Sequence, residues 1–391
     1  MTSTQFPHSQ PLLEIIRDRT PLTFAEFMAI VLYHPQYGYY SSGTVGIGKE
    51  GDYFTSSSLG ADFGELLAKQ WVQLWEILGK PDPFHLVEMG AGKGLLAADS
   101  LQFLERYYPD CLKSLEYIII EQSPGLIEQQ QQVLRNTLDK GTKISWRRWD
   151  DLPDHLLVGC CFSNELVDAF PVHKVTIKEG ELKEIYVTWQ EEQLVETVGE
   201  LSTPKIKEYF AKMGLELAPP NYPEDYVTEV NLAALDWLKR VSQKLKQGYL
   251  LTIDYGYPAH RYYNPQRYQG TLKCYYQHRH HDNPYVNLGY QDITAHVNFT
   301  ALEKYGEDYQ LEQQGFTQQA IFLMALGLGD RLADLSSGKY DIQQVLQRRD
   351  ALHQLLDPNG LGGFGVLVQS KGLTPEQKAE TLLGFQIPDL V

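Results

Sequence analysis

Long apolar runs are missing from this sequence. None approaches the roughly 18 residues that a membrane-spanning helix requires. The longest candidates, such as residues 248–253, have the length of a core strand, so membrane insertion is not expected. A recognisable leader is missing too. Met1-Thr2-Ser3-Thr4-Gln5-Phe6-Pro7 shows neither a basic stretch ahead of an apolar one nor an Arg-rich amphipathic pattern, and a cytoplasmic location is the expectation. Cysteine is scarce: Cys111, Cys160, Cys161 and Cys274 contain no Cys-x-x-Cys pair, which argues against a zinc site or a disulfide framework. His278, His280 and His281 lie close together without a helical i, i+4 pair, and the one acid beside them is Asp282. No metal site is expected there. Positive charge is also in deficit, with 34 Lys and Arg against 50 Asp and Glu and a formal net charge of −16. A protein that coats DNA or RNA carries the opposite sign.

What is present is enough for a large core. With 391 residues and 43% hydrophobic content, the chain has the size of two domains or of one domain with large insertions. Residues 11–33 read as helix, with Thr23 and Glu26 spaced as a capping box. An aromatic turn follows at residues 33–40. Gly43, Gly46, Gly48 and Gly51 then crowd a loop suited to close approach by a ligand. From residue 84 apolar strands alternate with helices. Strands are expected at 84–88, 117–120, 143–146, 156–163, 249–254 and 365–369, and helices at 61–78, Leu95–Tyr107, 124–138 and 229–246. That order predicts an α/β fold with a parallel, Rossmann-like sheet and helices on both faces. Residues 172–226 depart from it and alternate with period two around Glu179-Gly180, a β-hairpin signal. The expected organisation is a helical N-terminal extension with its Gly-rich loop over 1–80. A ligand-binding core occupies 81–171 and 227–391, with C-terminal elaborations, and an inserted β-containing segment covers 172–226.

The strand at 84–88 runs into Gly90-Ala91-Gly92-Lys93-Gly94 and then a helix. Such a turn aims backbone N–H groups at a ligand lying beyond the carboxyl edge of the sheet. A P-loop would need Ser or Thr after Lys93, where Gly94 stands. A dinucleotide fingerprint begun at Gly90 would need Gly or Ala at Leu95. The spacing of Gly90, Gly92 and Gly94 behind Glu88 suits S-adenosylmethionine (SAM), whose sulfonium cation tolerates an acid that a pyrophosphate would not. Glu121, ending the second strand, is placed to accept hydrogen bonds from ribose hydroxyls. Asp150 or Asp151, after the third strand, is within chain reach of an adenine amine. A tight turn with no ligand is the plain alternative.

Several separated stretches, in this order, resemble the MidA-type SAM-dependent methyltransferases, the family that includes a mitochondrial complex I assembly factor that methylates arginine. They are residues 33–40, Gly51-Asp52-Tyr53-Phe54-Thr55-Ser56, residues 88–95, Ser163-Asn164-Glu165-Leu166-Val167-Asp168-Ala169-Phe170-Pro171, Asp254-Tyr255-Gly256 and residues 292–299. The resemblance spans about residues 11–370. It implies a class I methyltransferase core and cofactor contacts from Gly51, Thr55, Ser56 and Asn164. It also implies a protein substrate, specifically a subunit of an NADH dehydrogenase-like complex, and it allows a homodimer. One departure is visible: Ser57-Ser58 stand where the family usually has Pro-Glu.

Methyl transfer needs an aligned nucleophile, excluded water and a route for the nucleophile's proton. The carboxyl end of the fourth strand supplies Glu165 and Asp168, two carboxylates able to fix the plane of a guanidinium. Asp254, ending the fifth strand, is a third candidate. His296, read as lying on an amphipathic helix, could take the released proton, with Asp292 orienting it. Each has a plain alternative as a helix cap, a turn former or a structural histidine. Residues 260–281 are basic and aromatic, a composition that fits single-stranded RNA, an acidic protein partner or a lid. A protein arginine N-methyltransferase is the leading expectation. An RNA or small-molecule methyltransferase, and a SAM-binding assembly chaperone with little turnover, stay open beside it.

Overall fold

The computed structural model describes residues 7–41, 55–277 and 279–386. Among them, two compact units are built from alternating stretches of the chain. One takes residues up to 53, 167–238 and 256–305, and the other takes 54–166, 239–255 and 306–391.

The second unit is built on one seven-stranded sheet. Its strands are β1 (Phe84–Met89), β2 (Leu115–Ile120), β3 (Ile144–Arg147), β4 (Leu157–Asn164), β5 (Leu245–Asp254), β6 (Glu312–Gln318) and β7 (Gly365–Lys371). They lie in the order β6-β7-β5-β4-β1-β2-β3. The five from β3 to β5 in that row are parallel, and β7 runs antiparallel between β5 and β6. The parallel α/β sheet expected from the sequence is therefore present. β1 is buried along its whole length, which is why it reads as a continuous apolar run rather than an alternating one. Helices α1 (Ala61–Ile77) and α2 (Leu95–Tyr107) share one core with the sheet. In it Trp71 meets Phe162 edge-on at 5.5 Å. β6 escapes a sequence reading: Glu312-Gln313-Gln314-Gly315-Phe316-Thr317-Gln318 has no apolar alternation, and only its pairing with β7 makes it a strand.

The first unit is mostly antiparallel. Strands His173–Lys178 and Glu181–Gln190 pair across Glu179-Gly180, and Gln193–Gly199 and Val227–Val230 extend the sheet on either side. Two expectations are corrected here. The helix expected over 11–33 is two, Ser9–Arg19 and Phe24–Tyr33. Pro21 cannot continue the first, and Leu22–Thr23 instead pairs with Val187 and Tyr186. The capping box of Thr23 and Glu26 opens the second. The helix expected from residue 229 starts at Leu232, after the strand Val227–Val230. No helix among the described residues is long and apolar enough to cross a membrane.

Candidate functional site

In the second unit, β1 and β4 lie side by side and parallel, so the turns that follow them leave the same edge of the sheet. After β1, Gly90, Gly92 and Gly94 all take left-handed φ values of 72°, 52° and 79°. Three such residues in five positions explain the glycines, because a Cβ makes this conformation costly. Gly94 is the N-cap of α2, and its N–H returns to the carbonyl of Ala91 at 2.8 Å.

Glu88, one residue before the strand ends, is buried rather than open to a ligand. The Tyr117 hydroxyl donates to its Oε2 at 2.7 Å. Burial pushes its carboxyl up to about 7, against the opposing pull of that hydrogen bond. Glu121 is better exposed. Its Oε1 accepts the backbone N–H groups of Gln122 and Ser123 at 2.8 and 2.9 Å. Its Oε2 accepts from Gln130 Nε2 at 3.3 Å and keeps acceptor capacity, since a carboxylate oxygen has two lone pairs. Glu121 lines a cleft of about 350 Å³ with Ile127, Trp146 and Arg148 among others. Asp150 lies on a short 3-10 turn with its side chain 89% exposed, 3.9 Å from Arg240.

The turn after β4 is built differently. Glu165 takes φ +51°, the left-handed region, without being glycine. Its N–H continues the ladder to the Ile253 carbonyl at 2.9 Å. Its Oε1 accepts from the Ser56 backbone N–H and from Asn164 Nδ2, each at 3.0 Å. Asp254, fully buried at the end of β5, accepts the N–H of Leu166 at 3.1 Å and of Tyr255 at 2.9 Å. It braces this turn from beneath. Thr55 caps the 3-10 turn Ser56–Ser58, where Ser58 Oγ closes the box at 2.8 Å on the Thr55 carbonyl and accepts its N–H at 3.1 Å. Ser57 and Ser58 thus carry a cap where the resembled family has Pro-Glu. Gly51 lies outside the described residues.

Asp168 and His296 belong to the first unit. Asp168 is buried on the turn Val167–Ala169, and its carbonyl accepts the Ala295 N–H at 2.9 Å. Asp292 is buried as well and accepts from the Tyr40 hydroxyl at 2.8 Å. The charges of Asp292 and Asp168 add to burial in raising the Tyr33 hydroxyl well above its ordinary value. His296 lies in the connection ahead of helix Phe299–Asp308, which corrects its expected place on a helix. Burial, with the charges of Arg267 and Lys273, lowers its ring to about 4. It is therefore neutral at ordinary pH and a weak base. Within the basic-aromatic segment Tyr268 is exposed. Tyr262 and Tyr263 are buried, their hydroxyls donating to Glu229 and Tyr209.

The sequence reading missed Gln130. It is fully buried on helix Pro124–Val133, donating to the Gly92 carbonyl at 2.8 Å as well as to Glu121. Its Oε1 accepts from Trp146 Nε1 at 2.8 Å. In the sequence it is one glutamine in a run of four, with no signal to separate it from its neighbours.

A parallel sheet whose first strand opens into a left-handed glycine turn, with an acid after the second, is the arrangement of an adenosyl-binding methyltransferase. A family model of S-adenosyl-L-methionine-dependent methyltransferases matches residues 66–317, and the chain belongs to that family. Among relatives, the "Protein arginine methyltransferase NDUFAF7 homolog, mitochondrial" of Drosophila melanogaster is 29% identical over 88% of this chain and 79% of its own. The "Protein arginine methyltransferase NDUFAF7, mitochondrial" of Homo sapiens is 28% identical over 91% of this chain and 81% of its own. A protein of Burkholderia thailandensis, solved with S-adenosyl-homocysteine bound, superposes with a TM-score of 0.84. It is 30% identical, and the match covers 96% of each chain. SAM as the methyl donor, expected from the glycine turn, is borne out. The cytoplasmic expectation is overturned, because the relatives are named mitochondrial.

Proposed function

We propose that this methyltransferase methylates arginine in a protein, a subunit of an NADH dehydrogenase-like complex, and so aids that complex's assembly. The names of relatives aligned over about nine-tenths of the chain support the arginine acceptor. The observation that carries the reading is Glu165, a carboxylate held at a left-handed φ by bonds to Ser56 and Asn164. Turn residues such as Glu179 and Glu191 also take a left-handed φ, so the weight falls on the two hydrogen bonds that fix this carboxylate.

SAM supplies an electrophilic methyl group on a sulfonium, so the transfer breaks an S–C bond and forms an N–C bond in line. The glycine turn 90–94 gives the donor a close backbone surface, and Glu121 accepts from its ribose hydroxyls. Thr55, Ser56 and Asn164 complete that pocket, and Asp150 reads the adenine. Glu165 accepts hydrogen bonds from a guanidinium, fixes its plane and draws its positive charge away from the attacking nitrogen. Asp254 acts through the turn that carries Glu165.

Mass spectrometry of the complex's subunits, from cells with and without this protein, tests the reading. A methyl-arginine that disappears with the protein is the expected result. Unchanged protein methylation together with altered RNA or metabolite methylation would sink it.

A further inference from the structure

We propose that Gln130 is a positioning residue for the methyl donor, tying the glycine turn to the ribose acid in one hydrogen-bonded frame. Both N–H bonds of its amide are used, one on the Gly92 carbonyl and one on Glu121 Oε2. Its oxygen is used by Trp146. The orientation is forced, because an indole N–H only donates. A flipped amide would set N–H against N–H at Trp146 and oxygen against oxygen at Gly92 and Glu121. The side chain also backs the turn sterically: a Cβ at Gly94 would lie 3.4 Å from Gln130 Cγ. Gln130 is fully buried, so these bonds do not compete with bulk water.

The consequence is specific to ribose. With Oε1 of Glu121 taken by two backbone N–H groups, Oε2 is the oxygen left for a ligand, and Gln130 sets where it points. The chain is Trp146 to Gln130 to Glu121, running from β3 through helix Pro124–Val133 to the end of β2. Gln130 acts through Glu121 and the Gly92 carbonyl, without itself needing to touch the donor. The inference rests on Glu121 as the ribose acceptor.

The test is calorimetry of the full-length protein with S-adenosyl-homocysteine and with its analogue lacking both ribose hydroxyls. Wild type should prefer the first by about tenfold or more, the scale of hydrogen bonds to a charged acceptor. In Gln130→Leu, similar in volume and unable to hydrogen-bond, that preference should fall to within about twofold, with the loss falling on S-adenosyl-homocysteine. Trp146→Phe removes one N–H and keeps a ring; it should erode the preference in the same direction by about threefold. Equal loss for both ligands would mean a merely structural glutamine and overturn the proposal. If Gln130→Leu fails to fold, an intact preference in Trp146→Phe overturns it instead. A wild type that binds S-adenosyl-homocysteine without any ribose preference would overturn the Glu121 reading and this one together, whereas a preference lost only in the variants upholds both.

Discussion

The turns after β1 and β4 leave the same edge of one sheet, and both need left-handed backbone. The first obtains it with glycine three times over, at Gly90, Gly92 and Gly94. The second obtains it with a glutamate, Glu165. Glycine lowers the strain and leaves room for this chain's own side chains, Leu166 closing on Gly90 and Gln130 on Gly94. A glutamate keeps the strain and holds a carboxylate in place, offset by bonds from Ser56 and Asn164. Each turn also has a buried acid close by. Glu88 sits before the first with one tyrosine hydroxyl on it, and Asp254 braces the second with two backbone N–H groups. Adjacent ends of one sheet are thus built for different tasks, one for clearance and one for a fixed charge.

The sharpest way to break the comparison is Asp254→Ala. It removes a fully buried carboxylate and leaves the Leu166 and Tyr255 N–H groups without their acceptor, and chemical denaturation should show a loss of about 3–4 kcal/mol. A loss under about 1 kcal/mol would mean that the second turn stands without its brace.

Next in size is the pH dependence of Glu88. Its folded value, about 7, lies above the ordinary 4.5. The folded state therefore holds a proton that the unfolded state has released. Its contribution is fully present below about 4.5 and is lost as pH rises to about 7, on the order of 2–3 kcal/mol in all. Glu88→Gln keeps an acceptor for Tyr117 and should flatten stability across that window. An unchanged pH profile would show that the acid is not held neutral.

Gly92→Val places a β-branched residue at φ +52°. It should cost about 2 kcal/mol in stability, and calorimetry should show S-adenosyl-homocysteine binding weakened by at least about tenfold. Retained binding would remove the glycine turn from the donor site.

The smallest stability effect belongs to Glu165→Gly. About 1 kcal/mol of relieved left-handed strain offsets part of the loss of two hydrogen bonds to a partly exposed carboxylate, leaving a net cost of about 1 kcal/mol. The melting curve should shift modestly, while methyl transfer falls by about a hundredfold or more and S-adenosyl-homocysteine still binds. Activity surviving this change would reduce Glu165 to a turn former.

Much of the second unit was legible in the sequence. β1, β2, β4 and β5 are apolar runs of strand length, and the Gly90-Ala91-Gly92 turn follows directly on β1. β6 was not legible, because its polar residues gain strand geometry only from β7. Glu229-Val230 reads as the start of a helix because Val and Glu fit either state until a partner strand is present. His296 shows the same limit, since its place ahead of a helix depends on where pairing stops. Gln130 is silent for another reason: hydrogen bonds to Gly92, Glu121 and Trp146 join residues up to 38 positions apart, and a run of glutamines does not say which one is buried.

By itself, then, the sequence determined the parallel sheet, the glycine turn and the acids at the strand ends, because strand periodicity and glycine's backbone freedom are local properties. Only the tertiary structure decided how those acids differ. It buried Glu88 against Tyr117, left Glu121 with an oxygen to spare, and strained Glu165 over Asp254. Burial and hydrogen-bond partners come from residues distant in the chain, and they fix what each carboxylate can do.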